Sequence, residues 1–145
     1  MADVRDLLAR KGRMVFCTEP QATVLEATQQ MNAHRIGALV VMDGDHVVGI
    51  FTERDVLSRV VVAQREPSET LVGAVMTADI VYGKQEMDLE EISDLMRERR
   101  IRHVPICDEE GKLEGLVSIG DINAWRTDGQ REEIHYLSEY IHGRV

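Results

Sequence analysis

Thr52, Arg54 and Asp55 stand in four consecutive positions just after an apolar run, Gly49-Ile50-Phe51. Ser118 and Asp121 stand in the same relation to Gly115-Leu116-Val117. In both places a glycine opens a strand-like run, a hydroxyl residue closes it, and an aspartate follows three positions later. The aspartates are 66 positions apart (121 − 55). A strand ending in Thr or Ser and leading into a helix exposes unpaired backbone N–H groups and the positive end of the helix dipole, which suits an anion such as phosphate. The hydroxyl can add a hydrogen bond, and Arg54 can offer a forked charge to phosphate oxygens. An aspartate in the first turn can accept from both hydroxyls of a ribose, as acidic residues do in dinucleotide folds. The plainer reading is that Thr52 and Ser118 are helix N-caps and that the aspartates complement the helix dipole.

The elements that must position these residues also occur twice. At a shift of 65, Val15 meets Ile80, Val24 meets Leu89, Ala27 meets Ile92, Met31 meets Met96, Ile36 meets Ile101 and Asp43 meets Asp108. The shift becomes 66 after the turn Asp108 to Lys112, which is one residue longer than its counterpart. A period of this size sets the architecture. Each copy reads as β-α-β-β-α. In the first, Met14 to Cys17 is a short strand. Thr23 caps a helix with Glu26 three residues on, and Val24, Ala27 and Met31 face inward. Ile36 to Met42 and Val47 to Phe51 are strands around the turn Asp43-Gly44-Asp45. Helical spacing returns from Arg54 to Ala63. In the second, Ile80 to Tyr82 is a strand and Asp88 to Arg99 a helix. His103 to Cys107 and Leu113 to Ser118 are strands, and Asp121 to Trp125 opens the closing helix.

These patterns divide the chain into four parts. Residues 1–63 hold an N-terminal helix (Asp3 to Arg10, stopped by Gly12) and the first unit. Residues 64–70, polar and containing Pro67, form a linker. Residues 71–128 are the second unit. Residues 129–145 carry a further helix, Glu132 to Ile141, with Ile134, Leu137 and Ile141 in phase. The fold class is α+β. Each half alone would bury a marginal core, so the halves are expected to pack together.

Composition narrows the function. The chain has 145 residues, is 43% hydrophobic and 30% charged, and carries a net charge of −9, which reads as globular and disfavours a general nucleic-acid binder. No apolar leader or membrane-length run is visible, so a cytoplasmic location is expected. Cys17 and Cys107 lie in apolar runs and read as small buried hydrophobes. His34, His46, His135 and His142 have no metal-ligand spacing. His103 is singled out by its place before Val104-Pro105 at a strand start. The arginines between Arg97 and Arg102 neighbour Glu90, Glu91, Asp94 and Glu98, as on a solvated, salt-bridged helix face.

The doubled unit, with its two glycine-to-aspartate motifs, closely resembles a pair of cystathionine β-synthase (CBS) domains. Val75-Met76-Thr77, Ile101-Arg102-His103-Val104-Pro105-Ile106 and the tail from Glu133 to Ile141 are similar to the same family, the tail to small stand-alone bacterial members. The resemblance implies two pseudo-symmetric units packed sheet against sheet, with two clefts made by both. One cleft would use Thr52, Arg54 and Asp55, completed by Val81, Arg102 and His103. The other would use Ser118 and Asp121, completed by Thr18, Gly37 and Ala38. The implied ligands are adenosine compounds: AMP, ADP or ATP, sometimes NAD or S-adenosylmethionine. Such pairs commonly form homodimers.

The first cleft would have a positive rim. The second has Gly120 in place of Arg54, and Gly37-Ala38 in place of Arg102-His103. It should take a less phosphorylated ligand or none. The expected role is a non-enzymatic sensor whose output passes through oligomerisation or an effector protein. Two rivals stand beside it: a small nucleotide-processing enzyme with His103 or Glu53 as base, and an interaction protein with vestigial clefts.

Overall fold

The computed structural model describes residues 2–129, and the helix expected over Glu132 to Ile141 lies outside them. Asp3 begins α1 (Val4–Lys11) through a reciprocal capping box with Asp6, and Gly12 ends it at φ +101°, a conformation open to glycine. After β1 (Cys17–Thr18), α2 (Val24–His34) starts on the Thr23–Glu26 capping box that the sequence signals. β2 (Ala38–Asp43) and β3 (His46–Thr52) form an antiparallel hairpin whose turn uses Gly44 at φ +61°. The first sheet has the order β1-β2-β3, with β1 parallel to β2.

A short turn, α3 (Glu53–Asp55), widens without a break into a π-helix, Val56–Val61. The widening shows in bonds that reach back five residues, from Val62 N–H to Leu57 O and from Arg65 N–H to Val60 O. It leaves Val60 buried and Leu57 and Val61 exposed, so only part of the apolar periodicity seen there turns inward.

The second half repeats the order. α4 (Val72–Val75) leads to α5 (Leu89–Arg99), which is capped by Asp88 and Glu91. Then come the hairpin β4 (His103–Cys107) and β5 (Leu113–Ser118), and α6, residues 119–129. α2 and α5 end alike, on Arg35 and Arg100 at φ +54°.

Two expected strands are revised. The first begins at Cys17, and Met14 lies out in solvent. Ile80 to Tyr82 forms no ladder. That edge is carried by Gly83, in a single parallel bridge to Ile106 that bonds Pro105 O and Cys107 N–H. A side chain at Gly83 would lie 2.7 Å from Ile106 Cδ1 and 2.9 Å from Ile92 Cδ1, so glycine is what lets the chain approach β4 this closely. The stretch 64–70 is built into the fold as well. Pro67 O and Thr70 O accept the first N–H groups of α2, and Thr70 is buried.

The segments that lead into each half pack on the opposite half. Val4, Leu7 and Leu8 of α1 sit in one core with Leu89, Ile92, Met96, Val104, Ile106, Val117 and Ile122. Val72 and Val75 of α4 sit in the other, with Val24, Ala27, Met31, Leu39, Phe51 and Val60. The N-terminal helix, read with the first unit from its place in the chain, therefore completes the second core. The exchange is reciprocal in its backbone bonds: Val24 N–H donates to Thr70 O, and Leu89 N–H to Ala2 O. Thr77 also pairs with Ile50 on β3 through bonds of 2.9 Å in both directions.

The motif glycines sit where these lead segments cross. A Cβ on Gly115 would lie 2.8 Å from Leu8 Cδ2. One on Gly49 would lie 2.6 Å from Met76 Sδ and 2.9 Å from the Thr77 carbonyl oxygen. Gly115 faces the movable end of a side chain, whereas Gly49 also faces backbone fixed by the Ile50 pairing. Gly49→Ala is expected to cost about 1–3 kcal/mol of stability, and Gly115→Ala less. Urea denaturation of both variants checks this; equal midpoints would mean that the crossing yields as easily on either side.

Candidate functional site

The first copy of the motif is closed on itself and on the opposite half. Asp55 N–H donates to Thr52 Oγ1 at 3.2 Å. Asp55 Oδ2 accepts from Thr52 N–H at 3.0 Å and from the Thr52 hydroxyl at 3.1 Å. The other oxygen, Oδ1, accepts from the Thr77 hydroxyl at 3.0 Å. Arg59, four residues on, places Nε 3.7 Å from the same Oδ1 and donates from Nη1 to Met76 O at 2.9 Å. Asp55 is only 6% exposed, and it ties the start of α3 to the lead segment of the second half. The N-cap reading is thus realised in the geometry, and the carboxylate also faces a cleft. A carboxylate offers roughly four acceptor positions, most of them engaged here. A ribose could take both oxygens only by displacing Thr77 or Thr52.

The cleft has a volume of about 420 Å³ and runs between the β3–α3 junction and the α5–β4 turn. It brings together Thr52, Arg54 and Asp55 from one half with Arg102 and His103 from the other. Arg59, Arg100 and Thr77 also line it, and spacing alone gave them no role. Arg59 could have been found as the residue one helical turn beyond Asp55. Arg100 was read as part of a solvated helix face, but its left-handed backbone turns the chain at the end of α5. Val81 is half-buried and does not line this cleft.

The residues expected to complete a second cleft are dispersed. Gly37 lines the first cleft, where its carbonyl accepts the Glu53 N–H at 3.1 Å. Ala38 is buried in β2 opposite Thr52. Thr18 lines a separate cavity of about 480 Å³ with Cys17, Glu19 and Gln30.

At the second motif Asp121 N–H donates to Ser118 Oγ at 3.0 Å, and Ser118 N–H donates to Asp121 Oδ2 at 2.8 Å. Lys11 Nζ, from α1, bonds the same Oδ2 and also Leu116 O. His103 connects the two motifs. It lines the first cleft, and in the β4–β5 ladder it stands opposite Ser118. Burial pushes its pKa below the ordinary value of 6.5; the Asp121 carboxylate opposes that shift, and Lys11 and Arg102 reinforce it.

Both cysteines are free. Among the described residues, no three His, Cys, Asp or Glu side chains are grouped to hold a metal ion, and no helix is long and apolar enough to cross a membrane.

Comparison with known proteins shows the family of the fold. A family model for the CBS domain matches residues 4–62 and again residues 72–127. The CBS domain-containing protein CBSX3, mitochondrial, of Arabidopsis thaliana is 34% identical over 150 residues, covering 97% of this chain and 72% of that protein. The crystal structure of the CBS-domain containing protein ATU1752 from Agrobacterium tumefaciens superimposes with a TM-score of 0.81 at 38% identity, covering 86% of this chain and 99% of that one. CBS domain protein PAE2072 from Pyrobaculum aerophilum, solved in complex with AMP, shares the fold at a TM-score of 0.74 and 23% identity, over 83% of this chain and 89% of that one.

The lowered pKa of His103 has a consequence for stability. The unfolded chain takes up this proton first as pH falls. The contribution is therefore complete above about pH 6.5 and is lost as pH drops from there toward the folded value. His103→Gln should flatten that part of the stability curve relative to wild type, measured by urea denaturation between pH 7.5 and 5. Parallel curves for the two proteins would mean that another group carries the dependence.

Proposed function

Since this chain belongs to the CBS domain family and carries the domain twice, we propose that it is a regulatory module that binds an adenosine nucleotide in the cleft between Thr52–Asp55 and Arg100–His103. One observation carries the reading. Arg54, Arg59, Arg100 and Arg102 line a single cleft, where Glu53 and Asp55 are the acidic residues, in a chain whose net charge is −9. Such a concentration of guanidinium groups against the overall charge suits a phosphate-bearing ligand, because each can form forked, charge-assisted bonds to phosphate oxygens. The cleft volume is within the range of small-molecule sites. Ile50 and Ile101 supply apolar lining for a base, and Asp55 and Thr77 supply polar contacts for a sugar. The AMP complex of PAE2072 supports the ligand class. AMP, ADP and ATP are the first candidates, with NAD or S-adenosylmethionine as larger alternatives.

A bound nucleotide acts on packing only through different affinity for two arrangements. Arg59 supplies a route. It holds Met76 O at the end of the second half's lead segment, and a phosphate drawing Arg59 into the cleft would release that carbonyl. The same helix exposes Leu57 (60%), Val61 (59%) and Val62 (71%), an apolar stripe suited to a homodimer. Ligand state would then reach a second copy or an effector protein through one helix. The role is binding without turnover.

Calorimetric titration with AMP, ADP, ATP and NAD tests the reading. Arg54→Ala and Arg102→Ala should each weaken the tightest ligand about 10- to 100-fold, the loss expected for one charge-assisted contact. Binding should also weaken with added salt. Asp55→Asn is a better probe than alanine, because it keeps a side chain between Thr52 and Thr77. ATP incubated with the protein should emerge unchanged on chromatography. Lack of binding at millimolar concentration by all four ligands would reject the proposal.

A further inference from the structure

Four arginines line the first cleft, and they stay charged at any pH near neutrality. His103 lines it too, and histidine is the side chain whose charge changes in that range. The backbone around His103 is fixed. The residue pairs with Ser118 in the β4–β5 ladder, and the carbonyl of Arg102 before it accepts the Ile119 N–H at 2.9 Å. The imidazole is thereby held half-buried in the wall of the cleft.

Charged groups approach it from every element packed there. Burial first of all disfavours the imidazolium; Asp121, at the start of α6, opposes this, and Lys11 of α1 and the neighbouring Arg102 reinforce it. Lys11 Nζ also bonds Asp121 Oδ2, so the carboxylate that favours protonation is offset by a cation of its own. Arg100, at the end of α5, lines the cleft beside Arg102. From the other half come Glu53, Arg54, Asp55 and Arg59. Asp55 is itself engaged by Thr52, Thr77 and Arg59.

From this placement we infer that His103 couples anion binding in the first cleft to proton uptake: neutral in the unliganded protein, the imidazole takes a proton from solvent when a phosphate enters. The inference rests on the nucleotide reading of that cleft. A phosphate monoester carries between one and two negative charges near neutral pH. That charge reverses the local balance and turns the ring into a charged donor to a phosphate oxygen. The arginines bind the same anion without taking up a proton. Through His103, affinity strengthens as pH falls, by about tenfold for each unit through which the ligand raises the His103 pKa. The module would then respond to acidification as well as to nucleotide.

The phosphate of AMP titrates in the same range and in the opposite sense, so the ring itself must be followed. NMR titration of the imidazole C–H signals between pH 8 and 5, without AMP and with saturating AMP, does this. The His103 signal is the one that His103→Gln removes. Its pKa is expected below 6.5 in the free protein and about one unit or more higher with AMP. A His103 pKa that AMP leaves unmoved or lowers would overturn the inference while leaving the ligand in the cleft. If His103→Gln does not fold, calorimetry on wild type at pH 6.5, in two buffers of different ionisation heat, decides. Net proton uptake with AMP is expected, and zero uptake or net release would overturn the inference. No heat and no shifted signal with millimolar AMP would reject both this inference and the nucleotide reading.

Discussion

The crossing of the lead segments is the constraint on which the rest of this structure depends. Neither half finishes its own core: α1 supplies Val4, Leu7 and Leu8 to the second, and α4 supplies Val72 and Val75 to the first. Fully burying an aliphatic side chain of this kind is worth about 1.5–3 kcal/mol, so separating the halves would expose several such contributions at once. The same crossing brings Thr77 to Asp55 and Lys11 to Asp121. Core formation and the assembly of the polar motifs are thus one event, and a displaced lead segment would disturb both.

That arrangement explains why a glycine opens each motif. Gly49 and Gly115 are set in strands, where glycine is unfavourable for the strand itself. Their value is clearance, since each faces a lead segment at a distance that would bring an added Cβ within 3 Å of a neighbour. The hydroxyl and the aspartate that follow cap the next helix, and the lead segment then adds a bond to the aspartate. A single heptapeptide pattern thus serves as strand, crossing point and helix start.

Much of this was legible in the chain. The repeat, the capping boxes at Thr23–Glu26 and Asp88–Glu91, the inward faces of α2 and α5, and the hairpin turns follow from spacing and residue type, which act within a few residues of one another. The grouping of Thr52, Arg54 and Asp55 with Arg102 and His103 was implied by the resemblance to the CBS family, not by spacing. Other features were not legible. The side of the molecule that α1 joins depends on which groove is left open. Arg100 reaches the cleft through a left-handed cap, which periodicity does not encode. The expected strand at Ile80 to Tyr82 shrank to one bridge, from Gly83 to Ile106.

By itself, the sequence determined a doubled α+β unit, its helix starts and turns, and the residue types that could meet an anion. Those are local properties, set by backbone preference and by the period of apolar residues. Tertiary structure alone decided the exchange of lead segments, the engagement of both aspartates and the inequality of the two motifs. The reason is that Thr77–Asp55 and Lys11–Asp121 join positions far apart in the chain, and such contacts exist only once two cores have fixed the distance between them.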